Sequence, residues 1–252
     1  MNLSRTDPRT DRRLAAARRV RDLLRSAIVD EEIGTGPLPS EAELMLAYSA
    51  SRQVIRDALG MLRTEGLVTR TQGTGTSAVI SKVRHAFDHL HGPSRRQVVA
   101  HRILSMTEEP APPRVAAKLR FPAGAACGIV EYITLFDDSP YYVCTSYTPT
   151  ALLPVLARAE RVTEWYSLYE DAGIELGVTD QAVEATIADP HHARLLAVAP
   201  GDPLMLFERL IRDHTGVPLE YGFARVRGDR VVLRAQLPRR RARRPRDAES
   251  EN

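Results

Sequence analysis

Between Leu14 and Ile33 apolar side chains recur at Leu14, Val20, Leu23, Leu24, Ala27, Ile28 and Ile33, while Arg18, Arg19, Arg21, Asp22 and Arg25 fall mostly off that stripe. This i, i+3, i+4 spacing predicts an amphipathic helix that ends at Gly34-Thr35-Gly36-Pro37. Ser40 followed three residues later by Glu43 has the form of a capping box and opens a short second helix reaching about Tyr48. Ser51 is a second cap, for a third helix from Arg52 to about Glu65 with Ile55, Leu59 and Leu62 on one face. Two β-prone runs, Leu67 to Thr71 and Thr76 to Ile80, flank Gln72-Gly73-Thr74-Gly75 and predict a hairpin. Helix, helix, tight turn, helix and hairpin within 80 residues is the order of a winged helix-turn-helix.

The pattern changes after Ser81. Residues 81–97 hold Lys82, Arg84, His85, His89, His91, Arg95 and Arg96 with few large apolar groups, which reads as an inter-domain linker. The i, i+4 histidines lack a cysteine and have only Asp88 as an acidic neighbour, so no metal site is assigned. Beyond Val98 strand-like runs appear at Ile103 to Met106, Cys127 to Phe136, Pro140 to Tyr147, Gln181 to Ile187, Leu204 to Arg212, Leu219 to Val226 and Val231 to Leu237. Short helices are expected at 115–119, 152–159, 167–172 and 191–196. The fold class is therefore α+β with a mainly antiparallel sheet. The expected plan is a DNA-binding domain at 1–80 with an N-terminal arm at 1–13, a linker at 81–97, a domain at 98–238 and a disordered Arg-rich tail at 239–252.

Composition sharpens this plan. The 252 residues are 43% hydrophobic and 27% charged, ordinary for a globular chain, with no apolar run of membrane-spanning length and no signal-peptide pattern at the start. The expected location is the cytoplasm, where Cys127 and Cys144 read as buried reduced thiols. Of 35 basic side chains two are lysines, Lys82 and Lys118, so 33 are arginines, the residue best shaped for bidentate contact with phosphate and guanine. Arg52 and Arg56 stack at i and i+4 at the start of the third helix, where a helix-turn-helix meets the major groove, with Gln53 available for adenine. The glycines of the hairpin tip permit close approach to the DNA backbone. The DNA-facing set is thus Ser40, Ser51, Arg52, Gln53, Arg56, Arg70, Gln72, Gly73, Thr74 and Gly75. Arginines 239–246 are candidates for added non-specific affinity.

Leu38-Pro39-Ser40-Glu41, Leu44, Ser51 through Leu59, and Glu65-Gly66-Leu67-Val68 through Thr76 resemble the N-terminal domain of GntR-family transcriptional regulators. That resemblance implies guanine readers at Arg52 and Arg56, a wing glycine in the minor groove, and a homodimer on a short palindromic double-stranded operator. Ala42 stands where the family often has a DNA-contacting arginine, and Ser49 replaces its usual turn glycine. The remainder resembles the UTRA domain of the HutC subfamily, of chorismate-lyase-like fold, through Asp137-Asp138-Ser139-Pro140, Ser146-Tyr147-Thr148-Pro149, Ser167-Leu168-Tyr169, Glu208-Arg209, Gly216 through Tyr221 and Arg227-Gly228-Asp229-Arg230.

Members that sense phosphorylated amino sugars grip phosphate with two arginines and sugar with a glutamate. Here those places hold Tyr132, Thr134 and Cys144, while Ser167, Tyr169 and Glu220 keep the family's polar identities. The expected effector is consequently a neutral or weakly polar small molecule and not a sugar phosphate, because an unpaired dianion is poorly held in a protein interior. Trp165 and Tyr166 read as packing or rim residues. A constitutive regulator with a vestigial pocket and an enzyme of chorismate-lyase-like fold are the alternatives. No nucleophile elbow, phosphate-binding glycine loop or metal set supports the enzyme, and no cofactor is expected.

Overall fold

The computed structural model describes residues 7–29, 37–71, 75–79, 83–86 and 99–235. They form two compact units that divide between Lys82 and Val83.

In the first unit α1 spans Pro8–Val29 and buries Ala17, Val20, Leu24 and Ile28. It begins before the expected start, so residues 8–13 are helix and not an arm. The Asp7 side chain accepts the Arg9 N–H at 3.2 Å, and proline at the first helical position costs nothing because that N–H has no intrahelical partner. This start signal precedes the apolar stripe, so periodicity does not register it. Helix α2 is Glu41–Ala47, with both halves of the Ser40–Glu43 capping box formed. Helix α3 is Arg52–Thr64, capped by Ser51, with Val54, Ile55, Ala58, Leu59 and Leu62 buried against α1 and Leu44. The hairpin pairs β1 (Val68–Thr71) with β2 (Gly75–Ala78) in antiparallel register. The Leu38 N–H donates to the Thr76 carbonyl at 2.7 Å and ties the segment before α2 to the wing. Tip residues Gln72, Gly73 and Thr74 lie outside the described residues.

The second unit is built on a six-stranded, fully antiparallel sheet in the order β4-β5-β6-β9-β8-β7. Its strands are β4 (Val99–Pro110), β5 (Ala126–Phe136), β6 (Ser139–Thr148), β7 (Leu176–Ile187), β8 (Pro203–Asp213) and β9 (Pro218–Arg227). Alternation along each strand separates two apolar faces. One carries Val130, Tyr132, Cys144, Phe207, Ile211 and Ala224 and packs on Leu156, Trp165, Leu168 and Tyr169 of the segment containing α5 (Leu153–Leu156) and α6 (Ser167–Asp171). The other face meets α4 (Pro113–Leu119) through Cys127, Leu210 and Tyr221, and α7 (Pro190–Leu196) through Ile133, Val143 and Leu204.

Part of the expected linker is a strand. Segment β3 (Val83–Ala86) pairs in parallel with β10 (Val231–Arg234) as a separate two-stranded sheet. Its partner is distant in sequence and the pairing is made by backbone, so no local side-chain pattern announces it. Residues 87–98 and the arginine-rich stretch 239–252 lie outside the described residues.

The turn between α2 and α3 places Ser49 at φ 47°, a left-handed conformation that costs a serine about 1 kcal/mol and a glycine almost nothing. After allowance of about 0.5 kcal/mol for the greater freedom of glycine in the unfolded chain, Ser49→Gly is expected to stabilise the first unit by about 0.5 kcal/mol. Thermal denaturation followed by far-UV circular dichroism checks this; an unchanged or lower Tm contradicts it.

Candidate functional site

The first unit presents one polar helix face. Its buried residues put Arg52, Gln53, Arg56 and Arg63 on the outside of α3, all exposed. Arg52 makes no ion pair among the described residues. Arg56 reaches the Glu41 carboxylate at the start of α2 (3.6 Å), a half-exposed pair that contributes little and is easily exchanged for another anion. Gln53 donates to Asp57 at 2.8 Å, so a base contact by its amide requires that bond to break. Ser40 and Ser51 use their hydroxyls as helix caps, which leaves them at the N-termini of α2 and α3. Arg70 is exposed on β1, and Gly75 opens β2 at φ 91°, where a side chain would be strained.

The second unit encloses a polar cluster inside its larger apolar core. Glu220 on β9 is fully buried and its carboxylate accepts four hydrogen bonds. Ser146 Oγ (2.6 Å) and Arg209 Nη2 (2.7 Å) donate to one oxygen; Trp165 Nε1 (2.7 Å) and the Tyr169 hydroxyl (2.6 Å) donate to the other. Burial alone would raise this carboxyl group, but Arg209 and the surrounding donors outweigh it and hold it below the usual carboxylate range. Arg209 also donates to the Tyr132 hydroxyl at 2.7 Å, and its Nε is buried without a hydrogen-bond partner among the described residues. The Tyr132 and Trp165 rings stack at 3.7 Å with 8° between planes.

Register explains how these groups converge. Ser146 and Arg209 both pair with Gly222, one from β6 and one from β8, on either side of β9. A Cβ on Gly222 would lie 3.1 Å from both Ser146 Oγ and Glu220 Oε1, so glycine is what lets the three strands bring their polar groups together.

Of the expected effector residues, Tyr132, Tyr169 and Glu220 are joined in this network. Cys144 sits beside it, its thiol 3.6 Å from Ser146 Oγ and pushed up by burial. Thr134 is buried one step along β5 and bonds His101 Nδ1 at 2.9 Å. Ser167 stands apart, donating to the Glu164 carbonyl at 2.7 Å. Arg209, Ser146, His101 and Trp165 were not among the expected residues. Their signal was available in part: Arg209 falls between Phe207 and Ile211, which face the same side of β8 and are buried. Arg209 also corrects the expectation that this region has no paired cation. A cation is present, and its charge is matched by Glu220.

Comparison with known proteins decides the family. Residues 16–77 match the family of bacterial regulatory proteins of gntR type, and residues 94–232, more than half of the chain, match the UTRA domain. The chain belongs to the GntR family of transcriptional regulators, in its UTRA-bearing, HutC-type branch. The regulator is 27% identical to the HTH-type transcriptional regulator Rv0792c of Mycobacterium tuberculosis, over 95% of this chain and 92% of that protein. It is 28% identical to the histidine utilization repressor of Pseudomonas aeruginosa (68% of this chain, 71% of that one). Its fold is like that of PhnF from Mycobacterium smegmatis, with a TM-score of 0.62 at 23% identity, covering 88% of this chain and all of that one. These relatives are regulators and not enzymes, and no described helix of this chain is long and apolar enough to cross a membrane.

The cluster makes the regulator's second unit sensitive to acid. Burial first, and then the nearby Arg209 charge, lower the His101 pKa from 6.5 to about 4. The unfolded chain therefore binds more protons between these values, so stability falls as pH drops from about 6.5 to about 4, by an amount on the order of 3 kcal/mol from this group. Trp165, the one tryptophan, reports on the cluster. Denaturation followed by its fluorescence is expected to show this loss, and His101→Gln to flatten it; equal slopes in the two proteins contradict the assignment. Glu220→Gln leaves Arg209 buried without a counter-charge and is expected to cost about 3–5 kcal/mol. A loss under 1 kcal/mol in the same assay contradicts the buried pair.

Proposed function

We propose that the regulator is a dimeric repressor that binds a palindromic operator through α3 and the wing and is controlled by a neutral or weakly polar effector admitted at the Glu220–Arg209 cluster. Arg52 and Arg56 read guanines, Gln53 is available to adenine once released from Asp57, and Ser40, Ser51, Arg70 and residues 72–75 meet phosphate or the minor groove. The sign of regulation is supported by NagR of Bacillus subtilis (26% identical) and the histidine utilization repressor, both repressors by name.

One observation carries the effector reading: the single buried cation of the cluster is already spent on a buried carboxylate. A phosphate dianion would find no uncompensated charge there, whereas hydroxyl, amide or ring groups can exchange bonds with Ser146, Tyr132, Tyr169 and Trp165 at little cost. The pairing of the Glu220 carboxylate with four internal donors also favours a second reading, a constitutive regulator whose pocket is vestigial. A thermal-shift screen of metabolites separates the two, because only a sensing domain gains stability by mass action.

Arg52→Ala with Arg56→Ala is expected to weaken specific operator binding at least about 30-fold, from the loss of two bidentate contacts, while the oligomeric state is unchanged. Footprints on the promoter of the regulator's own gene test this; a retained footprint contradicts the assignment. Calorimetric titration with glucosamine-6-phosphate is expected to show no micromolar binding, and such binding would contradict the neutral-effector reading.

A further inference from the structure

Resting on the reading of α3 as the DNA-reading helix, we propose that Gly60 is a contact point for the DNA backbone: it leaves the outward face of α3 bare, so that a sugar–phosphate strand lies directly against the helix. Gly60 stands in the interior of α3, where glycine is the least favoured residue after proline. The usual structural reasons for a glycine do not apply to it. Its φ is not positive, so no left-handed conformation is used. A Cβ added to it would meet nothing within 4 Å among the described residues, so no neighbour packs too closely for a side chain. Nor does it end the helix, which runs on to the Glu65 cap and to Gly66 at φ 70°. The position gives up helix stability and gains no packing in return, the pattern of a residue kept for function.

Helical spacing puts Gly60 on the face opposite the buried Val54, Ile55, Ala58, Leu59 and Leu62. Gln53 lies two turns before it, Arg56 and Asp57 one turn before it, and Arg63 one turn after it, so the polar side chains of α3 ring the glycine. A helical side chain leans toward the N-terminus and covers the turn before its own Cα. Any side chain at 60 would therefore lie over Arg56 and Asp57, beside the turn assigned to base reading. The Thr64 hydroxyl donates back to the Gly60 carbonyl at 3.2 Å, which folds that side chain against the helix and keeps the strip clear. Eight residues separate Arg52 from Gly60, about 12 Å along the axis. A helix with its side chains is about 10–12 Å across and the major groove about 12 Å wide, which leaves little clearance. With Arg52 at the base edges, Gly60 stands at the groove wall. Glycine permits the close backbone approach this needs, and contact with the sugar–phosphate strand fixes the register in which the arginines meet their bases.

The full-length regulator is compared with Gly60→Ala, Gly60→Leu and Gly60→Lys, each a better helix former than glycine. Thermal denaturation followed by far-UV circular dichroism is expected to show the Tm of the first unit raised, by about 4–8 °C for alanine. Binding to a labelled duplex from the promoter of the regulator's own gene is followed by fluorescence anisotropy. It is expected to weaken about fivefold with alanine and about a hundredfold with leucine, and to weaken with lysine in spite of the added positive charge. A purely structural position would not move stability and affinity in opposite directions. A Tm that fails to rise with alanine, or an affinity that holds or increases as the side chain grows, overturns the proposal and leaves the reading of α3 intact. A wild type that does not bind the duplex, or an Arg52→Ala/Arg56→Ala variant that binds it as well as the wild type, overturns that reading itself.

Discussion

A carboxylate sealed from solvent and held by four donors organises the second unit. Desolvating Glu220 costs several kcal/mol, and the cost is offset only when charge and hydrogen bonds arrive together. Arg209 supplies the charge, and Ser146, Trp165 and Tyr169 supply the remaining donors from β6 and from the segment that covers the sheet. The arrangement therefore fixes three strands and α6 relative to one another. It also fixes the rings, because Tyr132 is bonded to Arg209 while it stacks on Trp165. A cluster so connected responds as a whole: any molecule that takes one donor from Glu220 changes the balance of the others.

The same strand that carries Glu220 leads directly toward the N-terminal end of the unit. Beyond Arg227-Gly228-Asp229-Arg230 it becomes β10, whose Val231 is buried in the core that holds Tyr132 and Trp165. Strand β10 in turn holds β3, the first described element after the DNA-binding unit. An effector alters DNA binding only to the extent that it prefers one arrangement of the chain over another, so contacts that differ with the state of the Glu220 cluster are the physical source of any such preference. In the first unit, the matching constraint is the capped turn: Ser40 and Ser51 start their helices cleanly and Ser49 accepts a left-handed conformation to join them.

What could be read from the chain follows the reach of each physical signal. Helix periods and caps are local, so α2 and α3 are found nearly residue for residue, as is the sheet's strand order along the chain. Signals outside the apolar pattern were lost: the Asp7–Pro8 start of α1 lies before its stripe, and β3 forms through backbone pairing with a segment far away in sequence. The candidate site is legible at Tyr132, Tyr169 and Glu220, which the cluster joins. By residue type Arg209 is one surface-type arginine among many; strand parity with the buried Phe207 and Ile211 on the same face of β8 marks it as inward-facing. Ser146 and Gly222 matter through cross-strand register, which sequence order does not contain.

The central claim is that the state of the Glu220–Arg209 cluster and the affinity for DNA are linked. The most direct measurement titrates the regulator, bound to a labelled duplex from its own promoter, with metabolites selected by thermal shift, while Trp165 emission and duplex anisotropy are recorded together. The account predicts that both signals change with a common midpoint. Release of DNA with no change at Trp165 would contradict it.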